Sequence, residues 1–290
     1  MKEEIIDIEF KNKKENYSFE IMTLQSLFQR NLNHLLSDPH RLGFYIILII
    51  ENGNGTHTID FNEYEYSNGT VFTIGKNQVQ KYTVNENLKA YQILFTQDFI
   101  IKYYDEKQVF NSQLIFNDAI YSPKFQLTES QITEIIDIAQ NLDFEYHNTI
   151  DDEYKSPILR SGLHVLLMKL ERFKQQLVPR EMNADFSDFF RFKSLVDEKC
   201  FATRNVTDYC NELNINQKRL NLITKSILNK TAKEFIDDRT ILEIKRLLSN
   251  TNSPIKEIAY RAGFDEPTNL VKYFKNITNQ SPSDFRSSLK

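Results

Sequence analysis

The strongest constraint on this chain is a repeat near its C-terminus. Val206–Ile215 (VTDYCNELNI) lies over Ile255–Phe264 (IKEIAYRAGF) at an offset of 49 residues. After a gap of one the offset becomes 50. Leu220 then matches Leu270, Lys225 matches Lys275, and Thr231-Ala-Lys-Glu-Phe235 matches Ser281-Pro-Ser-Asp-Phe285. In the second copy Ile255, Ile258, Ala259 and Ala262 recur at helical spacing, so one face is apolar. Ser253 is expected to cap that helix, with Pro254 at its first position. Gly263 supplies the left-handed residue that ends it. Phe264 plugs the angle between two helices, and Asp265 is expected to cap the next, whose Leu270, Tyr273 and Phe274 face inward. Asn214 stands where Gly263 stands, and Asn tolerates left-handed backbone. This is a helix-turn-helix written twice, a motif whose second helix enters the DNA major groove. The segments at Thr231 and Ser281 carry an acid three residues on, a capping box. Between the copies, Glu234 to Leu248 reads as one long helix with Ile236, Ile241, Ile244, Leu247 and Leu248 in its core. Phe186 to Val196 is a further amphipathic helix ahead of the first copy.

The other half is different in kind. Residues 1–125 read as mostly β. Gly43 to Ile50 is apolar, β-branched and aromatic, and too short for a buried helix. Glu51 to Gly55 is a turn cluster. Strands follow at Thr56–Phe61, Tyr64–Tyr66, Thr70–Ile74, Gln78–Val84 and Lys89–Phe95. Such regular short strands predict a small barrel or jelly roll. Thr128-Glu-Ser-Gln131 is a capping box, followed by the stripe Ile132, Ile135, Ile136, Ala139, Leu142. A second helix starts near Pro157. Its Leu159, Leu163, Leu166, Leu170, Phe173 and Leu177 recur at steps of 4, 3, 4, 3 and 4, a heptad seam. Two readings stay open: packing on the barrel within one chain, or a dimer interface, which is the one adopted. Residues 178–185 read as the linker, punctuated by Pro179.

Charge divides along the same line. Residues 1–180 hold 18 Lys and Arg against 25 Asp and Glu, a balance of −7; residues 181–290 hold 18 against 15, a balance of +3. This suits a regulatory half joined to one that faces DNA. Cys200 and Cys210 cannot build a disulfide framework and read as buried thiols of a reducing compartment. The acidic start Met1-Lys-Glu-Glu-Ile has no apolar run of a signal peptide, and Phe44–Ile50 is far shorter than the roughly 20 residues that cross a bilayer. The expected location is cytoplasmic.

No nucleophile–base arrangement and no phosphate-cradling loop is present. Asp151-Asp152 reads as a solvated pair. His34, His40, His57, His147 and His164 are scattered, and Gln80 stands where a metal site would want a third imidazole. The expectation is therefore no catalytic residue, no metal and no cofactor; an organic ligand in the barrel remains plausible, since barrel mouths are common pocket sites.

The segment from about 185 to 290 resembles the DNA-binding domain of the arabinose-regulator (AraC/XylS) family of transcription factors. The likeness rests on Ile255, Glu257-Ile-Ala259, Ala262-Gly-Phe264, Tyr273-Phe-Lys275, Ser281-Pro282, Phe285-Arg286 and Glu243 to Leu248. Residues 30–125 resemble the cupin-like sensor found ahead of such domains, through Asp38-Pro-His-Arg41, Phe44–Ile50, Gly55–Ile59 and Gly69–Val79. The resemblance implies an α+β chain: a cupin-like β-barrel over 1–127, dimerisation helices over 128–178, a linker over 179–185, and an all-α domain with two helix-turn-helix units over 186–290. It implies a homodimer that binds double-stranded DNA, a small-molecule effector, and RNA polymerase as a partner. The candidate DNA-binding residues are Gln217, Lys218, Arg219, Asn221 and Lys225 in the first unit, and Glu266, Pro267, Thr268, Val271, Lys272 and Lys275 in the second. Gln and Asn suit adenine, Arg suits guanine, Thr can meet a thymine methyl, and Lys reaches guanine or phosphate. Two departures stand out. Thr224 occupies a site where the family favours Phe, so Ile223 is expected to take over its core position. Leu222 occupies a DNA-facing site that is often polar or basic. A ligand-independent activator with a filled barrel, and a cupin enzyme carrying a DNA-binding tail, are the alternatives.

Overall fold

The computed structural model describes residues 7–8, 10, 18–29, 38–83, 85, 87–101, 115–177, 184–251 and 253–289. His34 and linker residues 178–183 lie outside these, as does the side chain of Leu177. Among the described residues, contacts divide the chain into two compact units, 7–177 and 184–289.

The first unit is built on ten strands and four helices among its described residues. In chain order they are β1 (Asp7–Ile8), β2 (Phe19–Thr23), α1 (Leu24–Phe28), β3 (His40–Leu42), β4 (Tyr45–Asn52), β5 (Gly55–Ile59), β6 (Asn62–Tyr66), β7 (Thr70–Ile74), β8 (Val79–Tyr82) and β9 (Lys89–Phe95). Then come α2 (Gln97–Ile101), β10 (Lys124–Gln126), α3 (Glu129–Asn148) and α4 (Lys155–Leu177). The strands make two five-stranded sheets, ordered β1-β3-β8-β5-β6 and β10-β7-β4-β9-β2, rather than one closed barrel. The pairings are antiparallel apart from β1 on β3.

The second sheet explains the unbroken apolar run of β4. Ile46, Leu48 and Ile50 point between the sheets, where they join Leu42, Ile59, Phe72, Ile74, Tyr82 and Leu94. Ile47 and Ile49 point the other way, onto α3 and α4 through Leu142, Leu159, Leu163 and Leu166. A strand buried on both faces loses the alternation that marks a half-exposed one. The β5–β6 turn is tighter than the sequence suggested. Asp60 and Phe61, expected within a strand, form it at φ 45° and 69°. The Asp60 carboxylate accepts from Val79 N (3.1 Å) and Gln78 Nε2 (2.7 Å), which pins the turn to the neighbouring corner.

The heptad seam of α4 is not a dimer surface. Leu159, Leu163, Leu166, Leu170 and Phe173 are buried in the core that this helix forms with α3 and the second sheet. The physical reason is that a helix on a sheet needs an apolar stripe of the same width as one on a second chain. The opposite face carries its own series, Tyr154, Ile158, Ser161, Val165, Met168 and Arg172, again at steps of 4, 3, 4, 3 and 4, and all exposed. Beneath α4, Lys174 is buried; its ammonium donates to Thr73 Oγ1 (3.0 Å) and the Ile115 carbonyl (2.8 Å). Burial pushes that amine down to about 7, with Glu171 acting the other way.

The second unit is helical: α5 (Ala184–Lys199), α6 (Val206–Leu213), α7 (Gln217–Leu228), α8 (Ala232–Asn250), α9 (Ile255–Arg261), α10 (Pro267–Thr278) and α11 (Pro282–Ser288). Phe189 and Phe192 of α5 pack on Phe235 of α8, and Phe192 also meets Tyr209 of α6. The expected core of α8 is buried throughout. The boxes at Thr128, Thr231 and Ser281 form as read, with Gln131, Glu234 and Asp284 as reciprocal partners. Cys200 and Cys210 are both buried free thiols, pushed upward by that burial. No described helix is long and apolar enough to cross a membrane.

Candidate functional site

The helix-turn-helix geometry appears twice, in the same hydrogen bonds. α6 ends at left-handed Asn214 (φ 55°), and Ile215 N–H donates to Cys210 O at 3.1 Å. α9 ends at Gly263 (φ 72°), and Phe264 N–H donates to Ala259 O at 3.0 Å. These are the paired residues of the repeat. The repeat extends further: Asn229 and Asn279, 50 residues apart, both end the second helix of their unit in left-handed backbone. That match was legible in the sequence and was missed. The N-caps differ from expectation. Asn216 caps α7 by accepting from Arg219 N at 2.8 Å. Glu266 stands at the N-cap of α10 without a side-chain bond, so Asp265 is not the cap. Likewise Pro254 is itself the N-cap of α9, one position later than the predicted Ser253, which lies outside the helix.

Inside the units, Leu220 matches Leu270 and Thr224 matches Phe274, each buried. Thr224 keeps its core position because its hydroxyl donates to the Leu220 carbonyl (3.1 Å), the usual way a helix absorbs a buried threonine. Ile223 is buried beside it rather than in its place.

Of the sequence-named DNA candidates, Gln217, Lys218 and Lys225 are exposed on α7, and Glu266, Thr268, Lys272 and Lys275 on α10 and its cap. Pro267 and Val271 are half-buried. Two others have work within the fold. Arg219 pairs with Asp185 and reaches Asp188 at 3.9 Å, both on α5. The Asn221 side-chain oxygen accepts from Ala232 N (2.9 Å) at the start of α8. Each is half-buried.

A residue that the sequence did not single out joins the two units. Arg204, in the loop before α6, donates to the carbonyls of Ala262 (2.9 Å) and Gly263 (3.0 Å) in the turn of the second unit. Its guanidinium lies 4.1 Å from the Phe264 ring centroid. Tyr273 of α10 donates to Asp237 of α8 at 2.7 Å, and Lys233 closes on the same carboxylate at 2.5 Å. The turn that aims α10 is thus held by the segment that precedes α6. The only signal for this in the sequence is an arginine, which forms such bonds in too many settings to be assigned.

Between the sheets lies a string of neutral polar groups. His57 Nε2 donates to Gln80 Oε1 (3.2 Å), and Gln80 Nε2 donates to His40 Nε2 (3.1 Å) and toward the Tyr82 hydroxyl (3.4 Å). Tyr82 donates to Gln92 Oε1 of the other sheet at 2.6 Å. His40 Nδ1 donates to the Asp38 carbonyl at 3.0 Å. A carbonyl can only accept, so these bonds fix both imidazole tautomers. All five side chains are buried. Burial pushes His57 down to about 3, and neighbouring His40 reinforces it while the Gln80 bond opposes it. Burial raises the Tyr82 phenol. His57 and Tyr82 are therefore both neutral near pH 7. Among the described residues no group of three or more His, Cys, Asp or Glu is placed to hold a metal ion.

Residues 26–142 match the family model of the AraC-like ligand binding domain, and residues 209–288 match that of a helix-turn-helix domain. The chain belongs to the AraC/XylS family. Its first unit is that family's sensor and its second the DNA-binding domain, so it is a transcription regulator. Curated relatives agree along most of the length. The HTH-type transcriptional activator RhaR of Mannheimia succiniciproducens is 21% identical over 251 residues, covering 86% of each chain. RhaS of Citrobacter koseri is 20% identical over 85% of this chain and 86% of that one. Among solved structures, ToxT from Vibrio cholerae aligns over 94% of this chain and 98% of its own at 14% identity, with a TM-score of 0.44.

Proposed function

We propose that this regulator is a ligand-responsive transcription activator that works as a homodimer and reads DNA with α7 and α10. The observation that carries the reading is the matched exposed face of the two helices: Lys218 and Lys225 on one, Thr268, Lys272 and Lys275 on the other. The lysines of the two stripes suit phosphates and guanine, and Thr268 suits a base edge. Arg219 and Asn221 serve instead to seat α7 on α5 and α8. The sign of regulation follows the relatives, which are named as activators, and contact with RNA polymerase goes with it.

The effector is a small neutral molecule rich in hydroxyl or amide groups. His57, Gln80, Tyr82 and Gln92 offer donors and acceptors but no compensating charge, and a buried anion without one is strongly disfavoured. Entry of such a ligand exchanges amide bonds of Gln80 and Gln92 for bonds to itself, shifting the sensor between two arrangements. The dimer forms through the outward face of α4, where Ile158, Val165 and Met168 sit at heptad positions and are exposed. The cytoplasm is the compartment in which such a regulator meets its operator.

DNA binding is tested by titrating the full chain against genomic fragments at two salt concentrations. A sequence preference that survives at the higher salt supports the reading, and uniform affinity across fragments at both refutes it. The effector class is tested by thermal shift against polyols, amides and carboxylates; stabilisation by carboxylates alone would overturn the neutral assignment.

A further inference from the structure

The exposed stripe of α7 has an apolar centre. Leu222 is 57% exposed, one turn after Lys218 and three residues before Lys225, both exposed on the same face. Its partner in the repeat, 50 residues on, is Lys272, the exposed cation at the centre of α10. The residues beside Leu222 do not compete for the groove: Arg219 is held by Asp185, and the Asn221 oxygen by Ala232 N. Leu222 makes no hydrogen bond to a base edge, and only thymine presents an apolar group in the major groove, its C5 methyl. We propose that Leu222 is a specificity-determining residue that reads one thymine by methyl contact, so that the two units recognise half-sites of different chemistry. The first selects thymine by apolar burial; the second selects through the Lys272 ammonium. This rests on α7 being a DNA-reading helix. The flanking lysines supply the charge complementarity, positioning the leucine over the bases through phosphate contacts.

The test removes a single methyl group. A bound sequence is first selected from a random duplex library with the full chain. Each thymine is then replaced in turn by deoxyuridine, which pairs identically and lacks only the methyl. One thymine should show an affinity loss of about fourfold, the value of one buried methyl-sized group. That loss should vanish in Leu222→Ala, whose exposed site leaves the fold, read by circular dichroism and melting temperature, unchanged. Leu222→Lys, which copies the second unit, should move the preference at that position from thymine to guanine in a repeated selection. The proposal is overturned if selection yields a defined sequence yet no thymine shows a Leu222-dependent methyl effect; the DNA-binding reading then stands. It is overturned together with that reading if no sequence is selected.

Discussion

Replacing Gly263 by alanine is the most informative single change in the DNA-binding unit. Gly263 has φ 72°, where an L side chain costs about 1–2 kcal/mol. Space adds more than backbone preference does. A Cβ built there lies 2.0 Å from the Phe201 carbonyl oxygen, a backbone atom, and real Cβ contacts essentially never fall under 3.0 Å. The turn and the Phe201 loop must therefore separate by about an ångström or more. Separation stretches the two Arg204 bonds to the Ala262 and Gly263 carbonyls. Each is a hydrogen bond to a charged group, worth about 1.5–3 kcal/mol and here partly screened by solvent. Together these terms predict a loss of about 3–5 kcal/mol. Asn214→Ala is the internal control, because it sits at the equivalent left-handed position (φ 55°) and already has a Cβ. It should cost about 1 kcal/mol. Urea unfolding of the full chain, followed by helical circular dichroism, measures both. In a melt the difference corresponds to a midpoint lower by roughly 10 °C or more. If Gly263→Ala falls within about 1 kcal/mol of Asn214→Ala, the close approach of Phe201 to the turn is wrong, and with it the latch by Arg204.

Lys272→Ala should weaken specific DNA binding more than Lys218→Ala, because the ammonium is the central group of α10 whereas Leu222 holds that place in α7; equal or reversed losses in a gel-shift titration would remove the asymmetry. Val165→Glu should convert dimer to monomer in sedimentation without lowering the melting temperature, whereas Leu163→Glu, in the protomer core, should unfold the sensor; a Val165→Glu chain that stays dimeric disproves the outward interface. For pH, His57 is held near 3 in the fold against 6.5 unfolded, so the folded state binds fewer protons and stability falls as pH drops below 6.5. At pH 5 this one group removes about 2 kcal/mol relative to pH 7, and His57→Gln should abolish that part of the urea-midpoint shift; an unchanged shift would place the acid sensitivity elsewhere.

The two units differed in how much could be read without coordinates. Caps and turns were legible because they depend on a few adjacent residues. Thr128, Thr231 and Ser281 form their boxes as read, and Asn214 and Gly263 both turn left-handed. Asp265 and Ser253 failed as caps by one position, since a neighbouring Glu266 or Pro254 can take the N-cap once the packing of α9 and α10 sets the turn. Strands β7 and β9 fell on their predicted bounds. The hairpin at Asp60-Phe61 was hidden because Phe61 rarely adopts positive φ and no glycine marks the turn; bonds from Gln78 and Val79 to the Asp60 carboxylate help to hold it.

The sequence by itself determined the doubled helix-turn-helix, the long helix between its copies, the β character of the first half and the family. Those follow from periodicities and local conformational preferences, which need no partner to be expressed. Tertiary structure decided which of two heptad series on α4 is buried, because both satisfy the same period and only the sheet beneath selects one. It decided that Arg219 and Asn221 support α7, because Asp185 and the start of α8 are brought to them by packing. It also joined His40, His57, Gln80, Tyr82 and Gln92, scattered over some fifty residues, into one buried string, since sheet register alone sets which side chains meet.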